Sequence, residues 1–325
     1  MKSQFLKLLR AVFRPPIVVS MVFITAIPGF AQQTDFLEGV PPYLPKAPVT
    51  GELRLAGSST MNQLAHLWVD GLKSIHPEAE ITVRMIGSEE VLGLLEKGEA
   101  DAGMMSRALT ESESAKYTAL PVAKDVVCFV VHPDNPVNQL SLAQLQSVFA
   151  PTDEHKAITW GDLGATGDWA KLPIKRYGRS DRSGIRGYLA EQFASGADDL
   201  APAQESSGYT ELCEEIAKDR TGIGYVSLAL YPPDVAKMIG IADGDRVHEA
   251  PRIDAPVDAA YPLVRQLFIV LKGDGKQDTT PLRTELLSYV LSRQGQGDAI
   301  RAGLLPLRRD EVLMSRDQLG WTGAR

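Results

Sequence analysis

From Val49 onward, short apolar strands alternate with amphipathic helices, and this alternation most constrains what the chain can fold into. Glu52–Ala56 alternates like a strand. The following helix puts Met61, Leu64, Ala65, Trp68, Leu72 and Ile75 on one face, and His76-Pro77 ends it. A strand at Glu80–Ile86 leads to a short helix with Val91, Leu92 and Leu95 that stops at Gly98. Ala100–Met105 reads as a third short strand, and Val126–Val131 as a strand covered on both faces. Beyond His132-Pro133 the pattern restarts. It predicts helices at Leu142–Phe149, around Tyr188–Phe193 and at Tyr209–Lys218, with strands at Pro173–Tyr177 and Gly222–Leu228. A strand at Leu267–Leu271 and a helix from Pro281 to about Arg293 close the series, with Pro at the helix's first position. Such alternation predicts α/β architecture with mostly parallel sheets, and 325 residues fit about two domains.

The first residues read as an address. Lys2, Lys7, Arg10 and Arg14 precede an uncharged run through Ile17–Ile27, and Gly29 and Ala31 are the small residues before a cut after Ala31. Basic, apolar and small segments in that order predict a cleaved secretory signal over 1–31. The alternative is a retained membrane anchor, for which the apolar core is short and is broken by Pro28-Gly29. Residues 32–49, with prolines at 41, 42, 45 and 48, read as an extended lead-in.

Charge narrows the partners. The chain has 34 basic and 41 acidic residues, a net charge of −7, and loss of the signal leaves 30 against 41, or −11. That balance argues against a nucleic-acid partner, which would be held by Lys and Arg. Any anion site has to be local. Three turns could supply one: Gly57-Ser58-Ser59-Thr60, Gly87-Ser88, and Ser180-Asp181-Arg182-Ser183-Gly184. Each follows a strand and opens a helix, where unpaired N–H groups carry partial positive charge. Each alone is also an ordinary N-cap. Together, at the carboxyl ends of strands, they point to a ligand site.

Catalytic readings find no support in the motifs. The five histidines form no metal-binding pair, and neither a nucleophile elbow nor a P-loop is present. No cofactor and no metal are expected. Cys128 and Cys213 are expected as buried free thiols, with a disulfide as the alternative.

Taken in order, Ala56–Thr60, Ile86–Ser88, Gly98–Gly103 with Ser106-Arg107, Lys124-Asp125, His132–Pro136, Leu140–Phe149 with Trp160, Arg179–Gly184, Gly222–Val226 and Tyr261–Arg265 carry a resemblance. The chain resembles the phosphate-binding (PstS-like) components of ABC importers, within the type II periplasmic binding proteins. The resemblance implies two α/β lobes joined by two strands, lobe one over 50–130 plus 230–325 and lobe two over 131–229. It implies a periplasmic or secreted monomer that holds inorganic phosphate between the lobes and serves an ABC permease at the inner membrane. Carried over by position, Ser59, Thr60 and Met61 meet phosphate at the first turn, Ser88 at the second, and Arg179, Ser183 and Gly184 in lobe two. Asp101 is expected to accept the proton of hydrogen phosphate, which sulfate lacks. Its plain alternative is a structural salt bridge. Ile185 through its backbone, Asp181 as a partner for Arg179, and Arg107 at the cleft mouth are further expectations. Two positions depart from the family pattern: Ile185 replaces the usual Thr, and Glu89-Glu90 follow Ser88, expected to face solvent. The alternatives are a binder of another tetrahedral oxyanion, a phosphate-responsive or cell-surface interaction protein of the same fold, and a phosphate-ester hydrolase.

Overall fold

Three parallel strands carry the first sheet: β1 (Gly51–Gly57), β2 (Ala79–Met85) and β3 (Ala102–Met105), with β1 between the other two. The computed structural model describes residues 37–321 except 46, 152–157, 180–182, 195–199, 253–256, 258–259 and 276–279. The expected signal over 1–31 and Asp181 lie outside the described residues. A single 3₁₀ turn (Ser59–Met61) and α1 (Asn62–Ile75) follow β1, and α2 (Ser88–Lys97) follows β2. One face of α1 buries Leu64, Ala65, Trp68 and Leu72, and the Trp68 indole N–H reaches the Gly295 carbonyl at 3.2 Å. α3 (Glu111–Ser114) is a single capped turn before β4 (Tyr117–Val131), the longest strand.

β4 belongs to both sheets. Its first part pairs antiparallel with β11 (Val264–Lys272) of the first sheet, and from Val127 onward it pairs with β8 (Gly222–Ser227) of the second. β11 in turn lies antiparallel against β3. β5 (Gln139–Ser141), α4 (Leu142–Phe149), β6 (Lys175–Gly178), α5 (Gly184–Phe193), β7 (Gln204–Glu205) and α6 (Tyr209–Lys218) build the second lobe before β8. There β8, β6 and β7 are parallel. β9 (Lys237–Asp243) covers the far end of β4 and carries β5 and β10 (Arg246–His248). The helices α7 (Pro281–Val290), α8 (Arg293–Arg301) and α9 (Arg309–Gln318) complete the first lobe.

Each lobe has its own apolar interior. Leu53, Leu55, Trp68, Leu267, Leu286 and Leu307 pack on one side of the first sheet, and Val91, Met105 and Val270 on the other. Val127–Val131, Phe149, Leu189, Leu212 and Ile239 fill the second lobe. Ala236, Ile239, Ile241, Tyr261 and Leu263 belong to this second core. The expected return to lobe one at residue 230 is therefore too early: β9 and β10 cover an open edge of the second sheet, and the chain goes back at Val264.

The described residues between 37 and 50 run without strand or long helix, and Val40 and Tyr43 pack into the first lobe. The Tyr43 hydroxyl donates to Glu285 and accepts from His76 Nε2 at 2.7 Å, while its backbone N–H donates to Gln294 Oε1 at 2.8 Å. Cys128 and Cys213 are free and buried, and burial pushes both thiols up, Cys213 to about 12. No helix among the described residues is long and apolar enough to cross a membrane.

Gly57 ends β1 where the backbone of β3 comes closest. A Cβ there would meet the Met104 carbonyl oxygen at 2.0 Å, and that oxygen accepts from the Ser58 N–H at 2.8 Å. Gly57→Ala should therefore cost about 1–3 kcal/mol by forcing the strands apart, read as a lower urea midpoint with unchanged slope.

Candidate anion-binding site

The carboxyl ends of the parallel strands face one another across the two lobes. β1 ends at Gly57, β2 at Met85 and β6 at Gly178, and the turns that follow line a single pocket of about 260 Å³. Its walls are Ser58, Ser59, Thr60, Met85, Ile86, Gly87, Ser88, Arg179, Ser183 and Gly184. The described residues of all three sequence-predicted turns thus meet in one place. The 3₁₀ turn, α2 and α5 all begin here, which brings the positive ends of three helix starts to one pocket. Ser58 caps the first turn by accepting from the Thr60 N–H at 3.3 Å.

Most expected residues lie at this pocket: Ser59, Thr60, Ser88, Arg179, Ser183 and Gly184. Arg179 is held from behind, with Nη1 donating to the Ser206 carbonyl at 2.6 Å and its guanidinium 5.6 Å from the Tyr209 ring centre. Tyr209 is buried, and burial raises its pKa against the opposing pull of Arg265 and Arg179. Ile185 keeps its side chain in the second core and offers only backbone at the start of α5.

Three expectations are corrected. Asp101 precedes β3 instead of following it, so it sits at the amino end of the sheet, away from the pocket. There Arg54 donates Nε and Nη2 to its two oxygens at 3.0 and 2.8 Å, and the Arg54 backbone N–H adds a bond at 2.7 Å. Burial alone would raise the Asp101 pKa; the Arg54 bonds outweigh it and hold the carboxyl below its usual range. It is the structural salt bridge of the plain alternative. Met61 is fully buried in the first core, and its N–H donates to the Ser58 carbonyl at 3.0 Å, so it faces away from the pocket. Arg107 does not line the pocket: Nε and Nη2 go to Glu89 at 2.6 and 2.9 Å, and Nη1 and Nη2 to Glu113 at 2.8 and 2.9 Å. Burial would lower its pKa, and the two carboxylates override this and hold it up. Glu89 is thereby turned onto Arg107 and neutralised at the pocket's rim.

Sequence reasoning missed the layer behind the pocket. Ser106, fully buried just after β3, accepts from the Ser58 hydroxyl at 2.9 Å, and its N–H donates to the Ser88 hydroxyl at 3.2 Å. Ser106 occupies the carboxyl end of β3 where Asp101 was expected. Its position just after an apolar strand was the available signal. Deeper still, Arg265, Asp125, Ser227 and Thr60 form one buried cluster. Among the described residues no group of three or more His, Cys, Asp and Glu could hold a metal ion, and no carboxylate lines the pocket.

A match to the PBP superfamily domain spans residues 45–294. The PstS phosphate-binding protein of Pseudomonas aeruginosa is 30% identical over 306 residues, covering 90% of this chain and 94% of that protein. The chain belongs to the PstS family of the PBP superfamily. The PstS protein of Bacillus subtilis is 26% identical over 276 residues, covering 83% of this chain and 85% of its own. Among solved structures, an ABC-type phosphate transport receptor from Vibrio cholerae superposes with a TM-score of 0.64 at 23% identity, over 78% of this chain and all of that one. PstS from Borrelia burgdorferi gives 0.54 at 16% identity, over 79% and 99%. These two likenesses show the same fold.

Two outcomes follow from the PstS-family site geometry. A Cβ on Gly184 would lie 2.2 Å from Ser106 Oγ and 2.8 Å from Ser88 Oγ across the lobes. Gly184→Ala should leave the unfolding midpoint unchanged and weaken anion binding about 10- to 100-fold by holding the lobes apart, read by calorimetry. Asp101→Asn should leave anion binding unchanged and lower the melting temperature at pH 7. Because the Asp101 pKa is depressed in the folded state, that stability difference should vanish as pH falls through its folded-state value.

Proposed function

We propose that the chain captures inorganic phosphate in this cleft and delivers it to an ABC permease. The observation that carries the reading is the convergence of three helix starts and the Arg179 guanidinium on one small pocket shared by both lobes. Backbone N–H groups and hydroxyls supply short donors to a multiply charged oxyanion, and arginine's planar fork suits two of its oxygens. The relatives named for phosphate binding support the choice of ligand. We read the protein as a binder without a catalytic step, acting as a periplasmic monomer after loss of residues 1–31.

The lobes are taken as 50–125 with 265–321, and 126–264, hinged where β4 and the start of β11 pass between the sheets. A ligand touched by both lobes favours the shut form by its differential contacts there. Arg179, Ser183 and Gly184 contribute from one lobe, and Ser59, Thr60 and Ser88 from the other.

One observation favours a second reading, a broader tetrahedral oxyanion binder. With Asp101 tied to Arg54, no carboxylate on the described pocket wall demands a proton on the ligand. Calorimetry of the mature chain against phosphate, sulfate and molybdate separates the two. Micromolar or tighter phosphate binding with far weaker sulfate supports the phosphate reading; equal affinities favour the broader one, and no phosphate binding overturns both transport of phosphate and the site. Arg179→Ala should raise the phosphate Kd about 10- to 100-fold through loss of a charge-assisted bond, with the fold intact by circular dichroism.

A further inference from the structure

Behind the pocket lies a cation that does not line it. Arg265 is 2% exposed. Its Nε and Nη2 donate to Asp125 Oδ2 at 3.0 and 2.8 Å, and Nη1 to the Ser106 carbonyl at 3.1 Å. Nη2 also donates to Thr60 Oγ1 at 3.0 Å. The other Asp125 oxygen accepts from the Ser227 hydroxyl at 2.6 Å, so the carboxylate is fully engaged and held in place.

Donor and acceptor accounting gives this cluster a direction. A guanidinium has donors only, so its bond makes Thr60 Oγ1 an acceptor on the inner side. The Thr60 proton is then left for the pocket that Thr60 lines. A hydroxyl ordered in advance loses less entropy when an anion arrives than one that must be fixed on binding.

We propose that Arg265 is a positioning residue for the anion, touching no ligand atom and setting the Thr60 hydroxyl as a donor into the pocket. This rests on the phosphate reading above. Arg265→Lys keeps the charge and loses the fork, and Thr60→Val removes the hydroxyl while keeping the shape.

The test is a cycle of four proteins, titrated with inorganic phosphate: the unaltered chain, Arg265→Lys, Thr60→Val and the double variant. Arg265→Lys should raise Kd about tenfold with Thr60 present and less than about twofold in the Thr60→Val background. Equal factors in the two backgrounds would overturn the proposal, as would an unchanged Kd in Arg265→Lys. Should Arg265→Lys fail to fold, Ser227→Ala replaces it, freeing one Asp125 oxygen without uncovering a charge. It should raise Kd about threefold only where Thr60 is present, and a rise in both backgrounds or in neither overturns the proposal. An unaltered chain that binds no phosphate removes the phosphate reading and this proposal with it; normal binding with additive effects removes this proposal alone.

Discussion

Arg265 and Asp125 face each other in register on β11 and β4, just before β4 leaves the first sheet for the second. Both are almost fully buried. Taking two charges out of water is costly, and only excellent geometry with further hydrogen bonds offsets it. Here every neighbour contributes: Ser227 from the second sheet, the Ser106 carbonyl from the end of β3, and Thr60 from the first turn. One ion pair therefore fixes the crossing of the lobes, the end of β3 and the orientation of a pocket hydroxyl. Removing one partner alone would leave a buried charge uncompensated, at a cost of about 3–5 kcal/mol.

The pocket itself uses little formal charge. A chain with net charge −7 holds a site for anions because the attraction is local: helix-start N–H groups, hydroxyls and Arg179 act over a few ångströms. The second cation at the rim, Arg107, is spent on Glu89 and Glu113. Its part is to neutralise the Glu89 carboxylate beside Ser88. The net negative field predicts slow, unsteered capture of a like-charged ligand, and selectivity then rests on geometry inside the pocket.

Much of this was legible in the chain. The helices at Leu142–Phe149 and Tyr209–Lys218 and the three strand–turn–helix signals are local features, set by periodicity and N-cap chemistry, and they appear as read. The rest depends on partners distant in sequence. Tyr117–Asp125 joins β4 despite Pro121, because the register between β4 and β11 shifts there and the proline's missing N–H is accommodated. β9 has the composition of a strand, but only its pairing with β4 reveals that it belongs to the second lobe. Asp101 was misplaced by one strand length: a carboxylate at the amino end of β3 and a serine at its carboxyl end lie five residues apart in the chain and on opposite ends of the sheet. Arg265 and Asp125 stand in segments that carry the family resemblance, but their part became visible only where they face each other across β11 and β4.

The close approach of Gly184 to Ser88 and Ser106 also governs time. With the α5 backbone seated against those two hydroxyls, widening the inner end of the pocket means separating the lobes. Release by that route is a hinge event, a collective motion of the kind that runs in microseconds to milliseconds, and follows how often the lobes part. A docking partner that pries them open can thus unload the carrier without competing for the anion at all.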